Sequence, residues 1–463
     1  MLAQTTRVEY KSVCDFFSDV SYSQITPVVL LIVLACTTAD AFTQQTSKNK
    51  RVDENVDTQT HLGIIAADAN DLKEAERHFA AAASLAPSDP STRNNYGAIL
   101  MRLGRTAEAR TQFEASLKLN PDQPSALTNL AQLYFDSDQP DDLRMARSLL
   151  ERARKNSSDS EISRALMITC LKLGQTLREK GLFKEAITEL NSALTLDSTN
   201  ADVVVAQIYA TLADVYEADG HFENAIPAMR LAVLRDPQNE SYHFRYGLLL
   251  TDSHAPKAGI IRLQESLKQF PNSARLWLAL GIAQFTYGEN AESENSFKQS
   301  LALDPKAVPA LAYLGVTYAE RVQYEKAIGF FEQAIALNPQ LATLHYLLAD
   351  TILKSSDGDL TRAEKYLKRA IELDPKLAPA YVAWGKIYVR TNRYSEAVPL
   401  FERAVSLQPD LLEAHYQLGR VLMRLKRPED ANRELEIFKQ LNEKQKAQNE
   451  PREIVRRLAN VRF

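Results

Sequence analysis

A period of 34 residues runs through most of this chain and constrains its fold more than any other feature. With short insertions, a Gly or Ala recurs at this spacing, at Gly63, Gly97, Ala131, Gly174, Ala213, Gly247, Gly281, Gly315, Ala349, Gly385 and Gly419. A second small residue follows about twelve positions later, at Ala75, Ala109, Ala146, Ala186, Ala225, Gly259, Ser293, Ala327, Ala363, Ala397 and Ala431. The period defines eleven repeats between residues 56 and 445, so the chain is predicted to fold by stacking equivalent units.

Each repeat is predicted to form two amphipathic α-helices, because apolar residues recur at helical spacing in both halves. The two small residues allow neighbouring helices to approach closely, and a large apolar residue after the second one fills the space between them, as at Phe79, Phe113, Phe297, Phe331 and Phe401. A left-handed turn is expected between the helices at Gly104, Gly181, Gly220, Gly288, Asn70 and Asn392. Prolines close eight of the repeats, where they prevent the second helix from continuing.

This pattern resembles the tetratricopeptide repeat (TPR) family over residues 56–445. The resemblance implies an all-α fold, a right-handed α-solenoid of about eleven helix-turn-helix repeats. In such arrays the first helices line a concave face that binds segments of partner proteins. The apolar residues that this implies on that face are Phe244, Leu248, Leu278, Ile282, Phe285, Val316, Tyr346, Val382 and Tyr416. The alternative is that these side chains pack against one another within a tight superhelix.

Charged side chains continue the same face in the last three repeats. Two equivalent positions, four residues apart, hold Asp350 and Lys354, then Lys386 and Arg390, then Arg420 and Arg424. Residues four apart on a helix point in the same direction, so five of these six side chains present positive charge to one groove. The predicted partner is therefore a protein or peptide segment with an apolar stretch beside acidic residues or a free carboxyl terminus. The alternative is that these charges are only solvated.

No motif for catalysis, nucleotide binding or metal binding occurs in the sequence. The seven histidines are scattered and never pair at a spacing of four, and Cys170 is predicted to be an inert packing residue. Lys and Arg number 55 and Asp and Glu number 59, a balance that argues against nucleic acid as a partner. We therefore expect no enzymatic activity, no cofactor and no metal.

The amino-terminal residues 1–41 are predicted to be a signal peptide or membrane-targeting segment. The apolar run VVLLIVLAC at 28–36 suits a signal-peptide core, and Ala39-Asp40-Ala41 suits cleavage after Ala41. Cys36 is the candidate for lipidation in the second interpretation, a lipoprotein tethered to a membrane. Residues 42–55 are predicted to be a polar linker, and residues 446–463 a capping helix with a basic tail. The expected location is exported, whether periplasmic, secreted or membrane-tethered, with the cytoplasm as the second choice.

The function predicted from the sequence is a non-enzymatic scaffold that binds a partner segment in the concave groove. Two alternatives stay open: a TPR lipoprotein that assembles a cell-envelope machine such as a pilus or secretion system, and a regulatory subunit of an enzyme supplied in trans.

Overall fold

The computed structural model describes residues 49–196, 202–355 and 358–448. These ranges contain 22 α-helices and no β-strand. In chain order the helices are α1 (Asn49–Asp68), α2 (Leu72–Leu85), α3 (Pro90–Arg102), α4 (Thr106–Leu119), α5 (Pro124–Phe135), α6 (Pro140–Lys155), α7 (Ser160–Glu179), α8 (Phe183–Leu194), α9 (Asp202–Ala218), α10 (Phe222–Arg235), α11 (Glu240–Asp252), α12 (Pro256–Gln269), α13 (Ala274–Tyr287), α14 (Asn290–Leu303), α15 (Val308–Glu320), α16 (Tyr324–Leu337), α17 (Ala342–Lys354), α18 (Leu360–Leu373), α19 (Ala378–Arg390), α20 (Tyr394–Leu407), α21 (Leu412–Arg424) and α22 (Pro428–Gln448). The fold class is an all-α solenoid, and the 22 helices follow one another as eleven pairs along the chain, which confirms the prediction of about eleven repeats.

The chain divides into two compact units between Asp219 and Gly220. In the amino-terminal unit the odd-numbered helices α1, α3, α5 and α7 each pack against the helix that follows, and the pairs stack in sequence. In the carboxy-terminal unit the pairs run from α11 and α12 to α21 and α22 in the same way. Each first helix of this unit also contacts the first helix of the next repeat. Each unit is therefore a stack of hairpins with its core between neighbouring helices.

The first small residue of a repeat makes room for the large apolar residue of the second helix. A Cβ atom placed on Gly97 would lie 2.6 Å from the ring of Phe113, and one on Gly385 would lie 2.5 Å from the ring of Phe401. Both phenylalanines are fully buried. The predicted contact is thus confirmed, and any side chain at these glycines would displace an aromatic ring from the core.

The turn between the two helices of a repeat is left-handed at every predicted position. Positive φ angles occur at Asn70, Gly104, Gly181, Gly220, Gly288 and Asn392. Three further residues adopt the same conformation, His254, Val322 and Lys426, with φ of 63°, 61° and 59°. The sequence did not indicate Val322 and Lys426, because neither is a residue type that favours the left-handed region, whereas histidine is enriched there and His254 was missed.

A second repeated contact joins six of the described first helices to the end of the preceding repeat. The side chain four residues before the small residue donates a hydrogen bond to the carbonyl oxygen of the closing proline. Examples are His243 Nε2 to Pro237 O at 3.0 Å and Trp277 Nε1 to Pro271 O at 3.1 Å. Equivalent bonds are made by Arg93, His345, Tyr381 and His415. Because a carbonyl oxygen can only accept, Nε2 of each of the three histidines is the donor in this bond.

Helix α1 begins earlier than the predicted repeat array, and two predicted terminal segments lie wholly or mostly outside the described residues. Helix α1 begins at Asn49, inside the predicted linker at 42–55, since the stretch 49–55 contains neither glycine nor proline to stop a helix. Helix α7 is 20 residues long, and one of the short insertions between repeats, at residues 161–166, lies within it. The predicted targeting segment at 1–41, with Cys36, and most of the tail at 446–463 lie outside the described residues.

Candidate functional site

Most of the apolar residues predicted to line the groove are buried in the stack. Phe244, Leu278, Ile282, Phe285, Val316 and Val382 are each 7% exposed or less. These six side chains pack within the stack, as in the alternative arrangement, because first helices of neighbouring repeats contact each other directly. Leu248 and Tyr346 are half-buried, and Tyr416 is 36% exposed. Among the apolar members of the predicted set, these three have the largest exposed fractions.

Phe285 illustrates why the inner face of α13 belongs to the core. Its side chain is 1% exposed, and its ring meets that of Tyr313 edge to face at a centroid distance of 6.4 Å. Tyr313 in turn stacks on Phe297 at 5.2 Å. The aromatic contacts join repeats seven and eight, so Phe285 holds neighbouring repeats together.

A cavity of about 160 Å³, here named the distal cavity, lies on the first helices of repeats nine to eleven. Its lining includes Tyr346 from α17, Val382 and Lys386 from α19, and Glu413 from α21. The remaining lining residues are Thr343, Leu347, Asp350, Leu377, Pro379, Ala383 and Leu411. The cavity therefore has an apolar floor and a charged rim, and it contains three of the predicted site residues.

The charges on the rim of the distal cavity are largely paired. Lys354 Nζ lies 2.6 Å from Asp350 Oδ2, and Lys386 Nζ lies 2.7 Å from Glu413 Oε1. Burial by itself would raise the pKa of Glu413, but hydrogen bonds from Lys386 and Gln417 outweigh it and hold the pKa below its usual value. Lys386 is thus neutralised by a neighbour rather than left as an open cation.

Three exposed arginines continue the inner face beside the distal cavity. Arg390, Arg420 and Arg424 all lie on the surface. Within the described ranges, no carboxylate comes within 4 Å of their guanidinium groups. The guanidinium of Arg420 sits 5.4 Å from the ring centroid of Tyr416, which packs on Phe438. Positive charge is therefore in excess at this end of the groove.

A larger cavity of about 450 Å³, here named the medial cavity, lies on repeats six to nine. Phe244 and Leu278, two predicted site residues, form part of its wall, together with Ala312 and Pro309 of α15. The other lining residues are Ala274, Arg275, Ser300, Asp304, Lys306, Ala307, Val308, Asn338 and Leu341. Sequence reasoning missed this cavity, whose wall includes Ala312, a residue with only a methyl side chain.

The groups that could support other chemistry are either buried or isolated. Cys170 is 1% exposed, and burial raises the pKa of its thiol to about 12, so it is inert as a nucleophile. No group of three or more His, Cys, Asp or Glu side chains in the described ranges is arranged to hold a metal ion.

Among the described helices, none is both long enough and apolar enough to cross a membrane. A buried amide pair, Asn129 Nδ2 to Asn94 Oδ1 at 2.9 Å, joins α5 to α3.

Two family models match the repeats of this chain. A family model described as tetratricopeptide repeat matches residues 60–124, 97–161, 278–342 and 382–436. A second model with the same description matches residues 169–200, 206–239 and 342–377.

This chain aligns with only part of each of two curated relatives. The TPR repeat-containing protein YpiA of Bacillus subtilis (strain 168) is 23% identical over 50% of this chain and 53% of YpiA. Anaphase-promoting complex subunit 3 of Schizosaccharomyces pombe is 27% identical over 30% of this chain and 20% of that subunit. Among solved structures, yeast Tom70 aligns with 85% of this chain and 93% of its own, with 16% identity and a TM-score of 0.43. The chain thus spans about half or less of these two curated relatives. Since the family matches cover most of residues 60–436 and each coincides with helix pairs in register, this chain belongs to the tetratricopeptide repeat family.

Proposed function

We propose that this chain is a non-enzymatic scaffold that binds a segment of a partner protein on the inner face of its carboxy-terminal unit. TPR proteins are generally non-catalytic scaffolds that bind protein or peptide partners. The observation that carries the proposal is the distal cavity, where Tyr346 and Val382 supply an apolar floor and Lys386 lies on the rim. A concave, mostly apolar site with a few placed polar groups is the usual form of a binding site.

The proposed partner segment carries apolar residues next to acidic residues or a free carboxyl terminus. Two lysines on the rim are already paired with Asp350 and Glu413, so they add little net charge. Arg390, Arg420 and Arg424 are exposed beyond the rim and favour a partner of opposite charge. Nucleic acid is not proposed, since the whole chain has a formal net charge of −4.

Two more specific roles are compatible with this surface. The first is a lipoprotein assembly factor of a cell-envelope machine, which rests on the apolar segment 28–36 and on Cys36. The second is a regulatory subunit of an enzyme supplied in trans; among the relatives, anaphase-promoting complex subunit 3 is a component of a larger assembly. Export would be supported by a mature terminus near Phe42 or a lipidated Cys36 in protein from the native host, and contradicted by an intact Met1 in its cytosolic fraction.

Photo-crosslinking tests the proposed surface. A benzoylphenylalanine is introduced at Tyr416, beside the distal cavity, and separately at Ile261, an exposed residue of a second helix that is 52% exposed. We expect a discrete crosslinked partner in the native host from position 416 only, and its identity separates an envelope component from a soluble enzyme. Crosslinking to the same partner from position 261 alone would move the site to the outer surface.

Charge reversal tests the role of the arginines once that partner is in hand. Arg420→Glu with Arg424→Glu should slow association and flatten its salt dependence, because exposed charges act mainly by steering the encounter. The control, Arg230→Glu with Lys257→Glu, makes the same change in net charge at two exposed positions of the same unit. Equal effects of both double variants would contradict a local role for the arginines.

A further inference from the structure

The linings of the two cavities in the carboxy-terminal unit share one row of positions, the start of each first helix and the position three residues before the small residue. The medial cavity also includes Ser300, Asp304 and Asn338 at the ends of second helices, and the distal cavity includes Asp350 and Lys386, one residue after the small residue. In repeats six to eleven the position three residues before the small residue holds Phe244, Leu278, Ala312, Tyr346, Val382 and Tyr416. First helices of adjacent repeats touch, so these positions form one row across the unit.

Ala312 is the smallest residue in that row, and the medial cavity opens where it stands. Neighbouring repeats fill the equivalent space with a phenylalanine, leucine, tyrosine or valine side chain. Ala312 itself is 1% exposed, so its methyl group belongs to the packed floor of the cavity. At about 450 Å³ the cavity falls in the range of natural ligand pockets, about 300–1,000 Å³.

The rim of the medial cavity carries more basic than acidic side chains. Arg275 is exposed, and its guanidinium lies 4.5 Å from the ring centroid of Phe244. Lys306 is also exposed, and Asp304 is the acidic residue beside it. An apolar pocket with this rim is complementary to a large apolar side chain in an acidic segment.

We propose that the medial cavity is an anchor pocket for one large apolar side chain, aromatic or leucine-sized, of the same extended partner segment that lies over the distal cavity. This inference rests on the proposed function and names the side chain that the partner must carry. The large apolar side chain of the partner segment lies in the cavity at repeats seven and eight. The acidic residues of the same segment lie near Arg390, Arg420 and Arg424 in repeats ten and eleven.

The register sets the spacing within the partner segment. The medial and distal cavities are two repeats apart along the row. Packed helices are about 8–10 Å apart, so the two cavities are separated by roughly 16–20 Å. An extended chain covers that distance in about five or six residues, since each residue spans about 3.3 Å. The large apolar residue of the partner segment is therefore about five or six residues from the part of the segment that lies over the distal cavity, and the acidic residues lie beyond that part, toward Arg390, Arg420 and Arg424.

Filling the cavity tests the proposal. The full chain is used to select binders from a display library of random peptides of about twelve residues, long enough to span both cavities. The selected peptides are then synthesised with a fluorescent label, and their Kd is measured by anisotropy. Ala312→Phe copies Phe244 and Ala312→Val copies Val382, so each inserts a side chain that this row already accommodates. Circular dichroism and thermal unfolding verify that both variants remain folded.

We expect the selected peptides to share one large apolar residue, with acidic residues on one side of it at least about five or six positions away. Ala312→Phe should weaken their binding by about thirtyfold, the loss typical of a hot-spot side chain, and Ala312→Val should weaken it less. Replacing the apolar residue of the peptide by alanine should weaken binding to the wild type but cause little further loss with Ala312→Phe. Such non-additivity places the peptide side chain in the cavity.

The outcomes separate this inference from the proposed function. Peptides that bind Ala312→Phe like the wild type, but are weakened by Arg420→Glu with Arg424→Glu, would overturn the anchor pocket and leave the proposed function standing. Additive losses in the peptide and protein variants would also overturn the anchor pocket. Peptides insensitive to all these variants, or no enriched peptides, would overturn both.

Discussion

At the scale of single residues, Val322 is under the clearest backbone strain. Among the described residues it is the sole β-branched one with a positive φ, at 61°, and its side chain is 67% exposed. The left-handed region costs an L-residue roughly 1–2 kcal/mol, and little contact offsets that cost here. Val322→Gly should therefore stabilise the α15–α16 turn by about 1 kcal/mol after the entropy cost of glycine.

Hydrogen exchange of α15 and α16 in the wild type and the variant measures this effect. The reverse change, Gly288→Val, is the matched control at the equivalent turn one repeat earlier, where φ is 98°. It should destabilise α13 and α14. A loss of protection in Val322→Gly would contradict the assignment of strain to this residue.

Phe285 gives a second prediction, which separates a core residue from a binding residue. Because its ring is 1% exposed and contacts Tyr313, Phe285→Ala should leave a cavity and cost about 3–5 kcal/mol of local stability. Hydrogen exchange in α13 and α15 should report that loss without any partner present. Tyr416→Ala, at a residue 36% exposed, should by contrast change stability little. Unchanged hydrogen exchange in Phe285→Ala would contradict a core role for this residue and favour its predicted role in partner binding.

At the scale of helices, Glu294 links α14 to α15 through a pH-dependent network. Its carboxylate accepts hydrogen bonds from Lys298 Nζ and Tyr318 Oη, both at 2.6 Å, and pairs with Arg321. Burial alone would raise the pKa of Glu294, but these donors hold it at about 2. An unfolded glutamate has a pKa of about 4.3, so the network stabilises the folded chain above that pH and is lost as the pH falls toward about 2.

Comparing thermal unfolding of the wild type and Glu294→Gln across this pH range tests the network. The variant should be less stable near neutral pH, and the difference should shrink as the pH falls from about 4.3 toward 2. Glu292→Gln is the control, because that exposed carboxylate on the same helix makes no ion pair with a described residue. A difference between wild type and Glu294→Gln that stays constant with pH would contradict the proposed ionisation.

The helices themselves were readable from the sequence, whereas the surface they expose was not. Gly97 and Phe113 revealed their contact through spacing alone, because a 34-residue period repeats the same packing eleven times. The exposure of Phe244 or Leu278 depends on how closely successive first helices approach, and a periodic pattern does not encode that distance. The medial cavity was missed for a related reason. Ala312 is an ordinary small residue for a helix, and it stands out only when it is compared with the larger residues at the equivalent position of the other repeats.

At the scale of the whole molecule, stability should be local because each repeat contacts mainly its neighbours. A Cβ atom on Gly315 would lie 2.6 Å from the ring of Phe331, so Gly315→Leu should overpack repeat eight at a cost of roughly 1–3 kcal/mol. Gly329→Ala, in α16 of the same repeat, is the control, since a Cβ atom there meets no atom within 4 Å. Alanine should instead stabilise that helix by about 0.5–1 kcal/mol.

Hydrogen exchange across the whole chain distinguishes a local effect from a global one. With Gly315→Leu, hydrogen exchange should rise in α13 to α18, the helices of repeats seven to nine. Phe331 is displaced within repeat eight, and repeats seven and nine each form an interface with that repeat. Repeats one to four should keep their protection, since a one-dimensional stack passes a disturbance on only through successive interfaces. Gly329→Ala should leave both regions protected or increase protection near α16. A uniform loss of protection from α1 to α22 would mean that the array unfolds as one cooperative body, and that the sum of neighbouring interfaces does not describe its stability.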